Sequence, residues 1–95
     1  MENNHLVYIL KCKDDTLYTG YTTNMERRLK MHESGKGAKY TRGRGPFTVM
    51  YQEMLATKEA ALSREYEIKK LQRHEKLTLI KEEKGKIYHA NSKKL

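Results

Sequence analysis

Short apolar runs separated by polar turns mark the first third of the chain. The segment "HLVYILKC" (5–12) is apolar on both alternations, which is typical of a central strand covered on both faces. The segment "KDD" (13–15) has turn composition, and "TLYTGY" (16–21) predicts the returning strand of a hairpin. If the turn has an odd length, Tyr8 and Tyr18 share one face of the sheet. A slip of one residue in register would place them on opposite faces.

A helical pattern follows the hairpin. Thr23 with Glu26 three residues later has the form of a capping box. The helix is expected to end near Glu33, before Ser34-Gly35. Its inward stripe consists of Met25, Leu29 and His32. Arg28 lies four residues before His32, so these two side chains are stacked one turn apart on the same side of the helix.

The rest of the chain predicts one more strand and two more helices. After the glycine-rich segment "GKGAKYTRGRGP" (35–46), the pattern predicts a strand at 47–55, a helix at 57–73 capped by Thr57 and a shorter helix at 74–83 packed through Leu77 and Ile80. A basic, flexible tail is expected at 84–95. The order ββαβαα predicts a single α+β domain over 1–83, with a small antiparallel sheet flanked by helices.

Composition narrows the class of protein. Twenty Lys and Arg against twelve Asp and Glu give a net charge of +8, which favours polyanionic partners such as nucleic acid. The longest apolar run, "LVYIL", is far shorter than the roughly 20 residues of a membrane span. A single cysteine, Cys12, excludes an intrachain disulfide and favours a reducing compartment. We therefore expect a cytoplasmic protein without a membrane partner.

Glu65 stands out because it lies in the apolar stripe of the second helix. Ala61, Leu62 and Ile68 make that face apolar, and a carboxylate there is costly unless it meets a cation, a metal ion or hydrogen-bond donors. A salt bridge to Arg28, or a sideways escape into solvent, would also satisfy it. Both alternatives stay open from the sequence alone.

The other candidates also have ordinary interpretations. Arg28 and His32 suit a solvated basic helix face, or an arginine that grips a phosphate beside a histidine that moves a proton. Tyr8 and Tyr18 suit a packed core, or phenols whose pKa is lowered by a nearby arginine or metal ion. Gathered on one surface, these side chains and Glu65 have the chemistry of metal-assisted phosphodiester hydrolysis. The histidines and Cys12 lack zinc-finger spacing, and no phosphate loop of the GxxxxGK type is present.

Tyr8 ahead of "LYTGYTTNMERRLKMH", followed by "AALSREYEIKKL", resembles the GIY-YIG endonuclease superfamily. That superfamily includes the N-terminal nuclease domain of the UvrC repair protein, structure-specific nucleases of the Slx type and homing endonucleases. The short chain and the glycine-rich segment look most like its small stand-alone bacterial branch, the YazA/YhbQ-like proteins. The resemblance covers residues 6–82 and implies a three-stranded antiparallel sheet flanked by helices.

The resemblance also implies roles for individual residues. Tyr8 matches the tyrosine of the first family motif, and Tyr18 with Gly20 matches the second, where the glycine is structural. Arg28 matches the arginine that binds the scissile phosphate, and His32 matches a position held by His or Tyr. Glu65 matches the glutamate that binds one divalent ion, Mg²⁺ or Mn²⁺.

Two departures from the family pattern concern this chain. Its first motif reads Leu6-Val7-Tyr8, so the motif's glycine is absent. The C-terminal asparagine of UvrC-like and homing members has no secure counterpart, since Asn91 lies in the expected tail. The second departure bears on how substrate would be positioned.

The main hypothesis is a metal-dependent endonuclease that acts on DNA, at branched or damaged sites, with RNA as an alternative substrate. In it Glu65 holds the ion, Arg28 neutralises the phosphate, Tyr8 helps to deprotonate water, and Tyr18 and His32 position water or relay protons. The alternative is a nucleic-acid-binding module with vestigial chemistry, and a third is a protein-interaction domain on the same scaffold. Nucleic-acid binding is assigned to seven basic residues: Lys36, Lys39, Arg42, Arg44, Lys69, Lys70 and Arg73.

Overall fold

A computed structural model describes residues 5–82 of the chain. It contains β1 (His5–Lys11), β2 (Leu17–Thr22), α1 (Met25–Glu33), a 3₁₀ turn (Lys39–Thr41), β3 (Thr48–Leu55) and α2 (Lys58–Lys69). A third helix, α3, is described over residues 73–82. The three strands form an antiparallel sheet in the order β2-β1-β3. The predicted α+β fold and the order ββαβαα are confirmed.

The central strand β1 has a buried face on each side of the sheet. Val7 and Ile9 pack with Ala61 and Ile68 of α2, while Tyr8 belongs to the cluster on the α1 side. These five side chains have no exposed surface. Covering of both faces explains why β1 reads as a continuous apolar run. The prediction of a two-sided central strand is therefore correct.

The hairpin register places Tyr8 and Tyr18 on the same face. Tyr8 pairs with Gly20, and Leu10 pairs with Tyr18, so both tyrosines point toward α1. Their ring centroids are 6.3 Å apart. The shared face that the sequence made conditional on register is thus confirmed.

Helix α1 begins one residue later than the sequence suggested. Asn24, not Thr23, is the N-cap, and its side chain accepts a 3.0 Å hydrogen bond from the backbone N–H of Arg27. Asn caps a helix as well as Thr does, and the hydroxyl of the preceding Thr22 accepts from the Asn24 N–H, which fixes the chain at this point. The helix ends as predicted, with Ser34 as C-cap and Gly35 at φ 82°.

Three details of the helices differ from the predictions. Leu62 is 42% exposed, so it does not belong to the buried stripe that Ala61 and Ile68 form on α2. Leu77 is also 42% exposed, and α3 packs through Ile80 instead. Thr57 caps α2 as expected, through a hydrogen bond from the Ala60 N–H, but α2 ends at Lys69 and not at residue 73.

The segment between α1 and β3 is built around the 3₁₀ turn and a cis peptide bond between Gly45 and Pro46. Its Thr41 is buried, which anchors the middle of the segment against α1. Within residues 5–82, every helix is too short or too polar to cross a bilayer. The predicted tail, 84–95, with Asn91, lies outside the described residues.

Candidate active site

A chain of hydrogen bonds joins β1, α1 and the 3₁₀ turn. The Tyr8 hydroxyl lies 2.9 Å from His32 Nε2, and Arg28 Nε lies 3.4 Å from the same hydroxyl. His32 Nδ1 lies 2.8 Å from the Thr41 hydroxyl, which donates at 2.9 Å to the Ala38 carbonyl. We call Tyr8, Arg28, His32 and Thr41 the hydroxyl cluster. Two side chains of α1 therefore meet at the phenol oxygen of β1, and the 3₁₀ turn joins them through His32.

The partners assign a direction to each hydrogen bond. Because the Thr41 hydroxyl gives its hydrogen to the Ala38 carbonyl, its oxygen accepts from His32 Nδ1–H. His32 Nε2 then carries a lone pair and accepts from the Tyr8 hydroxyl. The Tyr8 oxygen in turn accepts from Arg28. A proton on Tyr8 thus has a defined route to a neutral imidazole.

Two glycines make room for the cluster. A methyl group at Gly20 would overlap the Tyr8 hydroxyl and lie 2.6 Å from its ring carbon Cζ. A methyl group at Gly37 would overlap His32 Nδ1 and lie 2.9 Å from its Cγ. The structural role assigned to Gly20 thus has a clear physical basis, which is close approach of the Tyr8 ring.

Burial sets the charge state of the cluster. It raises the pKa of the Tyr8 phenol above its ordinary value, and the hydrogen bond from Arg28 lowers it by a smaller amount. Burial also lowers the pKa of His32, with a further contribution from the positive charge of Arg28. Tyr8 is therefore a neutral phenol and His32 a neutral imidazole near pH 7. The expectation that Arg28 would lower the pKa of Tyr8 is right in direction, but burial outweighs it.

The solvated-face interpretation is wrong for His32, which is 1% exposed. The core interpretation is right for Tyr8, although its hydroxyl also has polar partners. Tyr18 is partly buried, and its ring lies 5.4 Å from the ring of His32 and 5.9 Å from that of Tyr40. Tyr18 therefore reaches the cluster through ring contacts.

Glu65 interacts electrostatically with the hydroxyl cluster, but its carboxylate forms an ion pair with a lysine outside that cluster. Its side chain is 16% exposed, and its carboxylate lies 3.1 Å from Lys69 Nζ. The ion pair made here is thus with Lys69, where the sequence had suggested Arg28. The hydrogen bond to Tyr8 raises the pKa of Arg28, and the negative charge of Glu65 adds to that rise. The carboxylate is therefore within electrostatic range of Arg28.

The residues around Glu65 suit a divalent ion only if substrate completes its coordination. No group of three His, Cys, Asp or Glu side chains that could hold a metal is found among residues 5–82. Mg²⁺ commonly binds through one or two carboxylates, several waters and substrate phosphates, so a single carboxylate is sufficient for this mode. Lys69, whose side chain is 51% exposed, would have to move aside.

The seven basic residues assigned to nucleic-acid binding fall into two groups. Lys36, Lys39 and Arg42 are exposed on the segment beside the hydroxyl cluster. The other four already have partners within the chain. Lys69 pairs with Glu65, Lys70 lies over the Tyr66 ring, Arg73 donates to the Asp15 carbonyl, and Arg44 pairs with Asp14.

Thr41, Gly37 and Tyr40 belong to the site but were not predicted from the sequence. They lie in a glycine-rich segment where no periodicity indicates which side chains point inward. The polar residues of that segment could have indicated a site, but they are equally typical of an exposed loop. Buried Thr41 is the clearest omission, because it fixes which nitrogen of His32 carries the proton.

The lowered pKa of His32 predicts a pH-dependent stability. Above about pH 6.5, the ordinary value, neither the folded nor the unfolded state protonates this side chain, so the full stability is present. As pH falls below that value the unfolded state takes up the proton first, and stability is lost until the folded pKa is passed. The parent should lose more unfolding free energy between pH 7 and pH 5 than His32→Gln, measured by urea denaturation. Equal losses in the two proteins would contradict the buried neutral imidazole.

Comparison with known proteins places the chain in a family. The GIY-YIG catalytic domain matches residues 4–78. A UPF0213 protein of Oceanobacillus iheyensis is 61% identical over 80 residues, which cover 84% of this chain and 93% of the relative. A UPF0213 protein of Natronomonas pharaonis is 53% identical over 85 residues, or 90% of this chain and 100% of the relative.

Two solved structures are also similar. The solution NMR structure of a UPF0213 protein from Bacillus halodurans has a TM-score of 0.55 and 56% identity, over 82% of this chain and 83% of the other. That of the protein EF2693 from E. faecalis has a TM-score of 0.59 and 44% identity, over 85% and 88%. The GIY-YIG superfamily is one of nucleases that act on nucleic acids. The resemblance drawn from the motifs is confirmed: the chain belongs to the GIY-YIG family, alongside its small stand-alone UPF0213 proteins.

Proposed function

We propose that this protein is a divalent-metal-dependent endonuclease that hydrolyses phosphodiester bonds in DNA, with branched or otherwise structured sites as its substrates. The observation that carries the proposal is the Tyr8 hydroxyl held between Arg28 Nε at 3.4 Å and His32 Nε2 at 2.9 Å. What distinguishes this phenol from the equally buried Tyr51, whose acceptor is the carboxylate Glu53, is that its acceptor is a neutral imidazole able to take up a proton. Together Arg28 and His32 allow a proton to enter and leave the oxygen.

The proton route follows from the hydrogen bonds. Tyr8 has no exposed surface in the free chain, so substrate binding would have to bring a water molecule against its oxygen. That water would lose a proton to the Tyr8 oxygen while the proton of Tyr8 moves to His32 Nε2. Concerted transfer suits these groups, because the raised pKa of Tyr8 makes a free phenolate scarce near neutral pH. The water oxygen bonds to phosphorus, the bond to the leaving oxygen breaks, and that oxygen takes a proton from solvent. Thr41 keeps His32 in the tautomer that accepts.

Charge stabilisation falls to the two ionic residues. The terminal nitrogens of Arg28 would face the phosphate, where a planar guanidinium can make paired hydrogen bonds to its oxygens. Glu65 would hold one Mg²⁺ or Mn²⁺ ion, which stabilises negative charge on the leaving oxygen. Lys69, released from Glu65 when an ion binds, would then face the nucleic acid as a phosphate contact.

The ion pair between Lys69 and Glu65 also favours a second candidate function. An ammonium lies 3.1 Å from the carboxylate that is the proposed metal ligand, so Lys69 would compete with a metal ion for Glu65. A chain in which this pair persisted would bind nucleic acid through its basic residues without cutting it. The two functions differ in their dependence on a divalent ion.

A panel of labelled substrates tests the proposal. Duplex, single-stranded, flap and branched DNA and RNA are each incubated with the protein in Mg²⁺, Mn²⁺ or EDTA. Cutting with a divalent ion and none in EDTA is the expected result, strongest on one of the structured DNAs. Salt-sensitive binding without cutting on every substrate would overturn the endonuclease and support the binding module.

A further inference from the structure

An aromatic stack leads from the hydroxyl cluster to the protein surface. The ring of Tyr18 meets that of His32 edge to face, at 5.4 Å and 64°, and stacks on that of Tyr40, at 5.9 Å and 25°. The guanidinium carbon of Arg44 then lies 4.7 Å from the centre of the Tyr40 ring. Tyr40 is therefore separated from His32 by the single ring of Tyr18.

Tyr40 remains exposed although the segment holding it is fixed. It is 46% exposed, yet the next residue, Thr41, is 1% exposed and bonded to His32. Arg44 is held on the ring by its hydrogen bond to the Tyr40 carbonyl at 2.7 Å and by its pair with Asp14. Because Tyr18 stacks on the Tyr40 ring and Arg44 lies over it, the face open to a ligand is the outer side of the Arg44 guanidinium, backed by the ring. This surface is preorganised, so little conformational freedom would be lost when a ligand stacks on it.

The surroundings match the chemistry of a nucleotide strand. Beyond Arg44 lies a surface pocket of about 460 Å³, lined by Lys13, Arg42, Gly43, Asp14 and Arg44. Its three cations outnumber its single carboxylate, which suits a phosphate. Tyrosine rings and arginine planes are surfaces on which unpaired bases stack, whereas paired bases are already stacked within their duplex.

We propose that Tyr40 and Arg44 form a stacking platform for an unpaired base next to the scissile phosphate. The base stacks on Arg44 and so continues the row formed by Tyr18, Tyr40 and Arg44. The phosphate next to that base enters the pocket lined by Lys13 and Arg42. This inference rests on the proposed nuclease function for the position of the scissile bond. It names the substrate class as DNA with an unpaired nucleotide at the cut site, such as a flap or a fork.

Affinity measured in EDTA tests the platform separately from cutting. Tyr40→Ala removes the ring that supports Arg44, so it should weaken binding of flap DNA roughly 10-fold, in line with the loss of one stacked base, while binding of fully paired duplex stays the same. Tyr40→Phe keeps the ring and should bind as the parent does. Tyr66→Ala is the matched control, because Tyr66 is another exposed tyrosine lying under a cation, Lys70, but on α2.

An abasic substitution identifies the base that is bound. One abasic site is placed at each position of the unpaired strand in turn, and it should weaken binding by the parent protein at one position only. With the abasic site at that position, Tyr40→Ala should bind as tightly as the parent. The proposal would be overturned if Tyr40→Ala weakened binding of flap and of duplex DNA equally. It would also be overturned if Tyr40→Ala weakened binding by the same factor wherever the abasic site was placed. Thermal unfolding of Tyr40→Ala and Tyr40→Phe shows whether both remain folded. If neither the parent nor any variant cuts DNA in Mg²⁺, the proposed nuclease function fails, while the affinities in EDTA still decide whether the platform binds an unpaired base.

Discussion

Glu65→Ala is expected to slow cutting by about 10³-fold or more while nucleic-acid binding is retained. The change removes the carboxylate that acts electrostatically on Arg28 and Tyr8, and with it the proposed ligand of the divalent ion. A metal ion supplies several kcal/mol of transition-state stabilisation, so its loss corresponds to a fall of about 10³-fold or more in rate. Gel-based cutting rates at saturating Mg²⁺ measure the effect.

Binding and folding should be little changed by Glu65→Ala. Removal of a negative charge leaves Lys69 unpaired and able to meet a phosphate, so affinity in EDTA should stay level or rise slightly. The ion pair between Lys69 and Glu65 is partly exposed, and its loss should cost no more than about 1 kcal/mol of stability. Glu67→Ala is the control on the same helix, since Glu67 is 60% exposed and pairs with Arg64. Equal cutting by Glu65→Ala and the parent would refute the metal assignment.

Tyr8→Phe should slow cutting by about 10²–10⁴-fold, the usual contribution of a positioned acid–base group. The substitution keeps the buried ring and removes only the oxygen that bridges Arg28 and His32. Stability should also fall by about 1–3 kcal/mol, because the Nε2 acceptor of His32 is left without its buried donor. Single-turnover rates and urea denaturation separate the two effects.

Tyr51→Phe is the matched control for Tyr8→Phe. Tyr51 is also buried, at 4% exposure, and its hydroxyl also has a partner, donating to Glu53. It lies on β3 and belongs to the core cluster on the α2 side. Burial raises the pKa of Tyr51 to about 12, so this hydroxyl stays protonated. We expect Tyr51→Phe to lose stability and to cut at the parent rate. A similar fall in cutting for both variants would show that Tyr8 acts through folding alone.

The fold could be predicted because the sequence patterns match the layers directly. The two-sided apolar run of β1, the turn and the helix stop at Gly35 are local signals, and each was confirmed. The N-cap moved from Thr23 to Asn24 because adjacent polar residues compete for that place on nearly equal terms. The prediction that Leu62 is buried was wrong because the apolar stripe assumed for α2 was too wide and included a side chain that faces solvent.

The site could be predicted only where helix and strand periodicity bring side chains together. Tyr8 and Tyr18 on one face, and Arg28 one turn from His32, follow from such spacing. Thr41 and Tyr40 reach the cluster through an irregular segment, whose path depends on contacts that no spacing rule encodes. The i, i+4 spacing of Glu65 and Lys69 does indicate an ion pair, yet Lys69 was assigned to nucleic acid on charge alone.

The proposed mechanism requires that Tyr8 of β1 and Glu65 of α2 act in one catalytic unit. Its most direct test is the single-turnover cutting rate of the parent, Tyr8→Phe, Glu65→Ala and the double variant, purified side by side and assayed in Mg²⁺ on the preferred substrate. Residues that act as a unit are strongly non-additive. We predict that the parent cuts and that the double variant is no slower than the slower single variant. A parent that cuts no substrate, or two losses that simply multiply, would contradict the claim.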